Sequence, residues 1–147
     1  MDFSSQIILE VTIFQNKLRS DLSNIPIRWV APETMHLTLQ FLGDVPQSQI
    51  PAIQEAISTS AAGFSVIPLH IGSIGSFPSY KNPQVLWLGI SANQTLKKIA
   101  TQLQAALQPL GFKPEKDFLP HLTLGRLNKM ATREQQNLVS AVLARWQ

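Results

Sequence analysis

The chain of 147 residues contains no cysteine, which excludes a disulfide framework and any thiolate metal site. A reducing, cytoplasmic location is the simplest expectation. Charged residues are scarce at 14%, yet hydrophobic residues reach 44%, so the composition argues for a packed core and against disorder. No apolar run approaches membrane-spanning length, and the start, "MDFSSQIILEVTIF", lacks a basic region and carries Glu10 within its apolar stretch. It reads as neither a membrane anchor nor a signal peptide. The formal net charge of +3 permits a polyanionic partner without requiring one. With only three histidines, and acids scattered along the chain, no cluster with metal-ligand spacing stands out. No metal and no cofactor is expected.

What is present is a repeated word. "MHLTLQFLG" begins at Met35 and "PHLTLGRL" at Pro120, so two of the three histidines head the same tetrapeptide. Spaced self-similarity of this kind points to an internally duplicated architecture.

The patterning around the two copies agrees. Ser4 or Ser5 caps a predicted helix to about Leu22, with Ile7, Ile8, Val11, Phe14, Leu18 and Leu22 on one face. Ile27 to Val30 reads as a short strand, and 36–42 as a longer one after the turn at Pro32. A second helix is expected from about Pro46 to Ser60, inward along Ile50, Ile53, Ala56 and Ile57. Phe64 to Gly72 alternates like a strand, although Pro68 restricts it to an edge. Residues 73–84 look like the one long turn-rich loop. Val85 to Ile90 is apolar on both faces, as a central buried strand would be. A third helix follows from Asn93 to Leu110, burying Leu96, Ile99, Ala100, Leu103 and Leu107 and stopped by Gly111. "FKPEKDFLP" is an extended crossing. The last helix starts at Thr132, where Gln135 completes a capping box, and buries Leu138, Val139, Val142, Leu143 and Trp146.

Each half therefore runs helix, connection, HLTL strand, helix. Only the second half has a strand leading into its first helix, and the repeat predicts a matching strand ahead of Met1. The expected fold is α+β: one bilobal domain over 1–147, with two antiparallel sheets flanking a central cleft and helices outside.

Residues i and i+2 of a strand share a face. His36 and Thr38 are thus expected on one side and Leu37 and Leu39 on the other; His121 and Thr123 repeat the pattern against Leu122 and Leu124. Two imidazoles in one cleft suit acid–base chemistry near neutrality, one accepting a proton and the other giving one. Threonine hydroxyls can donate to anionic oxygens whose charge grows in a transition state. Base, acid and oxyanion donors are what in-line displacement at a phosphodiester needs, without a metal. Spacing alone does not say which histidine is acid and which base.

With both motifs in order, and with "IRWVAPETMHLTLQFLG", "GSFPS" and "PQVLWLGI" between and around them, residues 27–127 resemble the 2H phosphoesterases. More narrowly they are similar to the bacterial RNA 2′,3′-cyclic phosphodiesterases, once called 2′-5′ RNA ligases. The resemblance implies hydrolysis of an RNA 2′,3′-cyclic phosphate to a 2′-phosphate. It implies His36 as proton donor, His121 as proton acceptor, and Thr38 and Thr123 on the phosphate oxygens. Arg126 would be the family's substrate-binding arginine after the second motif. Strict alternation puts Arg126 on the leucine face unless Gly125 introduces a bulge. The implied partners are RNA ends or oligonucleotides carrying a cyclic phosphate, met by a monomer. A phosphodiesterase for small cyclic nucleotides or 2′-5′-linked oligonucleotides, or an inactive RNA-binding relative, would carry the same motifs. His70, outside any HxT context, reads as a surface strand residue, Tyr80 and Lys81 as solvated loop, and Phe41 and Trp87 as core. Phe112 and Phe118 are not assigned.

Overall fold

A computed structural model describes residues 3–64, 67–91, 94–114 and 118–146. Helix α1 spans Ser5–Asp21, and the Ser4 hydroxyl accepts from the Ile7 amide to cap it. The other main elements are β1 (Ile27–Trp29), α2 (Ile50–Ala61), β2 (His70–Ser79), β3 (Asn82–Ser91), α3 (Gln94–Leu107), β4 (His121–Leu127) and α4 (Arg133–Arg145). This is the expected α+β content. Among the described residues the strands form one four-stranded sheet in the order β1-β4-β3-β2, where two sheets were expected.

The difference has two local causes. Of the expected strand 36–42, only Leu37 pairs, through an isolated antiparallel bridge to Leu122. Leu39 and Leu42 instead pack against a helical core. Conversely, the expected loop 73–84 is the turning end of a hairpin: β2 runs into β3 through Tyr80 and Lys81 alone. Its glycine, serine and proline content imitates a loop, but Pro78 lies on β2, an edge strand, where a missing amide costs least. The strand expected over 64–72 begins only at His70, which is exposed at the strand's head. Strand β3 lies between β4 and β2, the central place expected for Val85 to Ile90.

The chain divides into two compact units: Met1–Leu37 with Ile71–Ile90 and His121–Gln147, and Thr38–His70 with Ser91–Pro120. In the first unit Leu86, Leu88, Leu122 and Leu124 are fully buried, as are Val11, Leu18 and Leu22 of the α1 region and Val139, Val142 and Leu143 of α4. Helix α1 is bound to the sheet by one buried amide. Gln15 Nε2 donates to the carbonyls of Val30 at 2.8 Å and Leu124 at 2.9 Å. Helix α4 opens on the expected capping box, Thr132 and Gln135 each accepting the other's backbone N–H. Trp146 stands edge-on to Phe14 at 4.9 Å and donates to Asp21 Oδ2 at 3.0 Å. Leu138, expected inside, is 48% exposed.

In the second unit α2 and α3 pack through Ile53, Ala56, Leu103 and Leu107, joined by Leu39, Leu42, Val45, Ala106, Leu110 and Phe112. All five residues of the α3 stripe are buried. Ile50 and Ile57, expected on the inner face of α2, are exposed. Gly111 ends the helical run with φ +94°, a backbone state that glycine adopts without strain. Residue 93, where the third helix was expected to begin, lies outside the described residues, as does part of the crossing before the second HLTL word. Among the described residues no helix is long and apolar enough to cross a membrane.

Candidate active site

The first unit presents its non-leucine face through β4. His121 and Thr123 are half-buried while Leu122 and Leu124 are buried, the alternation expected of a strand with one side in the core. The Leu37–Leu122 bridge fixes where the first word meets the second. In an antiparallel pair the residue before one partner lies opposite the residue after the other. His36 therefore falls beside Thr123, on the side that both leucines leave. Thr38, exposed, is the first residue of the second unit.

His36 is oriented from behind. Its Nδ1 lies 3.1 Å from the Thr34 carbonyl. A carbonyl only accepts, so Nδ1 carries the proton of that bond and Nε2 is the nitrogen left to exchange one. The three residues Pro32–Thr34 form a 3₁₀ turn, in which Pro32 presets the first dihedral and Thr34 Oγ1 donates to the Ala31 carbonyl. That turn holds the carbonyl where the imidazole needs it.

His121 is held by rings. Phe77 of β2 stands edge-on to it at 5.0 Å, and Trp87 of β3 is tilted against it at 6.0 Å. The two aromatic rings are themselves 5.3 Å apart. Trp87 pairs with Thr123 and Gly89 with His121, so these positions rise from one face of the sheet. The indole lies against Gly75: a Cβ there would fall among the ring atoms Cζ2, Cη2 and Cε2 of Trp87. Only glycine leaves room for the ring.

Trp87 was expected in the core; it is half-buried and walls the imidazole instead. The missed signal was its alternation against Leu86 and Leu88. Phe41 is corrected in the same sense and further, being 76% exposed where a core position was expected, because the strand that would have buried it does not form. Phe112 joins the α2–α3 core. Tyr80 is half-buried and its hydroxyl donates to the Ile74 carbonyl at 2.6 Å, closing the hairpin turn, while Lys81 is exposed.

A bulge settles the direction of Arg126. The β3–β4 register slips between Leu86 and Trp87, which pair with Gly125 and Thr123, so β4 carries one extra residue there. Beyond the slip, Arg126 pairs with Val85, which shares Trp87's face of β3, while Leu127 turns inward. The guanidinium thus rises on the same face as Thr123. Arg126 is exposed, as is Arg28, its partner across β1. His36, His121, Thr123 and Arg126 accordingly share one face of one unit. Among the described residues, no three His, Cys, Asp or Glu side chains gather as a metal site would require.

A paired-histidine face of this kind on an α+β frame is the pattern of a two-histidine phosphoesterase. The model of the LigT-like phosphoesterases matches residues 3–87 and 88–145, and the chain belongs to that family. It is 30% identical over 125 residues to an RNA 2′,3′-cyclic phosphodiesterase of Methanothermobacter thermautotrophicus, covering 85% of this chain and 67% of that one. It is 37% identical over 99 residues to one of Thermotoga maritima, covering 67% and 53%. The chain thus spans between about half and two thirds of these relatives' lengths. Among solved structures, a Thermus thermophilus protein superposes with a TM-score of 0.77 at 24% identity, over 88% of this chain and 73% of that one. Escherichia coli LigT complexed with 3′-AMP gives 0.65 at 23%, over 90% and 73%. These two likenesses concern the fold.

Proposed function

We propose that this chain is an RNA 2′,3′-cyclic phosphodiesterase that opens the cyclic phosphate to a 2′-phosphate by acid–base catalysis, with no metal. The observation that carries the reading is the shared face: His36 and His121 leave the sheet on the side of Thr123, one held by a carbonyl and the other by aromatic rings. The names of the relatives above support the same substrate.

In this reading His121 takes a proton from water as its oxygen attacks phosphorus. The P–O3′ bond breaks, and Nε2 of protonated His36 gives its proton to O3′, leaving the phosphate on O2′. The other ring proton of His36 stays on Nδ1, donated to the Thr34 carbonyl, throughout. Thr38 and Thr123 are assigned to the non-bridging oxygens, where donors strengthen as charge grows. Arg126 is assigned to substrate phosphate, for which a planar guanidinium is suited. The chain acts in the cytoplasm as a monomeric single domain.

The test is turnover of a short RNA ending in a 2′,3′-cyclic phosphate, with EDTA present, across roughly pH 5 to 9. A bell-shaped profile and a 2′-phosphate product are expected. A folded sample that leaves this substrate intact, while opening a small cyclic nucleotide or a 2′-5′ linkage, would overturn the substrate assignment. Loss of turnover in EDTA would overturn the metal-free chemistry.

A further inference from the structure

Arg28 and Arg126 are paired directly across β1 and β4. Side chains so placed rise from one face with Cβ atoms about 5 Å apart, and like charges there repel. A sheet selected for stability alone would put an acid or a neutral residue at one of the two positions. Two open hollows meet at Arg126, one toward β1 and one toward β3, and both are also lined by Asn128 and Lys129. Among the described residues no Asp or Glu lines either hollow, while Arg28 and Lys129 bring the local charge to three cations with Arg126. The group continues the face of Thr123: Arg126 stands opposite Val85 and His121 opposite Gly89, four residues or roughly 13 Å apart along β3.

That is too far for all three cations to share the phosphate at the histidines. We infer that Arg28 and Lys129, with Arg126 leading to them, bind a second phosphate of the substrate, one that is not hydrolysed. The inference rests on the function proposed above. A 2′,3′-cyclic phosphate occupies the last nucleotide, so every other phosphate lies on its 5′ side. The subsite therefore takes the 5′-ward backbone of a single strand and makes an oligonucleotide a better substrate than a nucleoside cyclic phosphate. Contacts to phosphate carry no base information.

The experiment compares kcat/KM for a short oligoribonucleotide ending in a 2′,3′-cyclic phosphate with kcat/KM for a nucleoside 2′,3′-cyclic phosphate. The wild-type ratio is expected to favour the oligonucleotide by at least about tenfold, and to fall as salt rises. Arg28→Glu is expected to collapse most of that ratio and Arg28→Lys to retain most of it, with thermal melts confirming that both variants fold. Single-stranded DNA should compete with the oligonucleotide far better than with the nucleoside substrate. A wild-type ratio near one, or an Arg28→Glu ratio equal to wild type, overturns the subsite. If the wild type turns over neither substrate, the function proposal fails instead. Anisotropy of a labelled RNA carrying a 3′-terminal phosphate then decides the subsite: weaker binding by Arg28→Glu sustains it and equal binding overturns it.

Discussion

A histidine that is to move protons, as proposed for His36 and His121, has to present one ring nitrogen and hold the ring in place. His36 is fixed through a hydrogen bond to the Thr34 carbonyl, and Phe77 and Trp87 pack against the ring of His121. Replacing either by alanine is expected to lower kcat by about 10² to 10⁴ with little change in KM. The double variant should lose far less than the product of the single losses, because the two act as a unit. Steady-state kinetics on the cyclic-phosphate RNA checks both statements, and additive losses would speak against one shared reaction. The shared face of the two histidines was legible because the same four-residue word occurs twice. Arg126 was only half legible: alternation placed it on the wrong face, and the correction depends on a register slip set by pairing with a strand some forty residues away. Phe41 could not be read from its neighbours, since its burial depended on a strand that the fold does not build.

Among the elements, the hairpin β2–β3 does more than extend the sheet. Gly75→Ala would place a methyl inside the Trp87 ring, so the indole must leave its seat and lose its contact with His121. The expected outcome is a folded protein with a red-shifted tryptophan emission and a lower kcat. Unchanged emission and rate would show that the wall is not needed. The α4 capping box offers a purely structural comparison. Thr132→Ala should cost about 1 kcal/mol and lower Tm by a few degrees, with kcat unaffected. Helical elements were the most legible, as α3 shows with all five stripe residues buried. Periodicity in a helix reports a partner face that the helix itself can nearly complete. The 36–42 stretch shows the opposite case. Its alternating leucines satisfy a strand pattern, yet the chain bends at Leu39, and Leu39 and Leu42 pack on the α2–α3 core without ladder partners. Local pattern cannot separate a strand from an irregular segment that anchors two leucines elsewhere; distant pairing decides, and here it leaves Phe41 outside while Leu42 packs inward.

At the scale of the molecule, each unit has its own apolar core, and each core can be weakened separately. Leu122→Ala in the first and Leu107→Ala in the second, both 1% exposed, should each cost about 2–5 kcal/mol in urea unfolding. Leu122→Ala also opens a cavity in the core directly behind the bridge that sets His36 beside Thr123, loosening that pairing, so it should lower kcat; Leu107→Ala acts in the other core, away from the bridge. Equal kinetic effects from the two would contradict the role given to the bridge. The division into units has a further consequence for how such a chain can be inherited. The first unit is assembled from three separate stretches and the second from two, with the boundaries falling at 37/38, 70/71, 90/91 and 120/121. Neither unit is a contiguous piece of gene. A single recombination crossover between positions 38 and 120 would join part of one core to a relative's version of the rest, so mismatched leucines would meet inside the same unit. Exchange that keeps both cores intact has to move two or three stretches together, a far rarer event, and the two units are therefore expected to diverge as one lineage rather than be shuffled as modules.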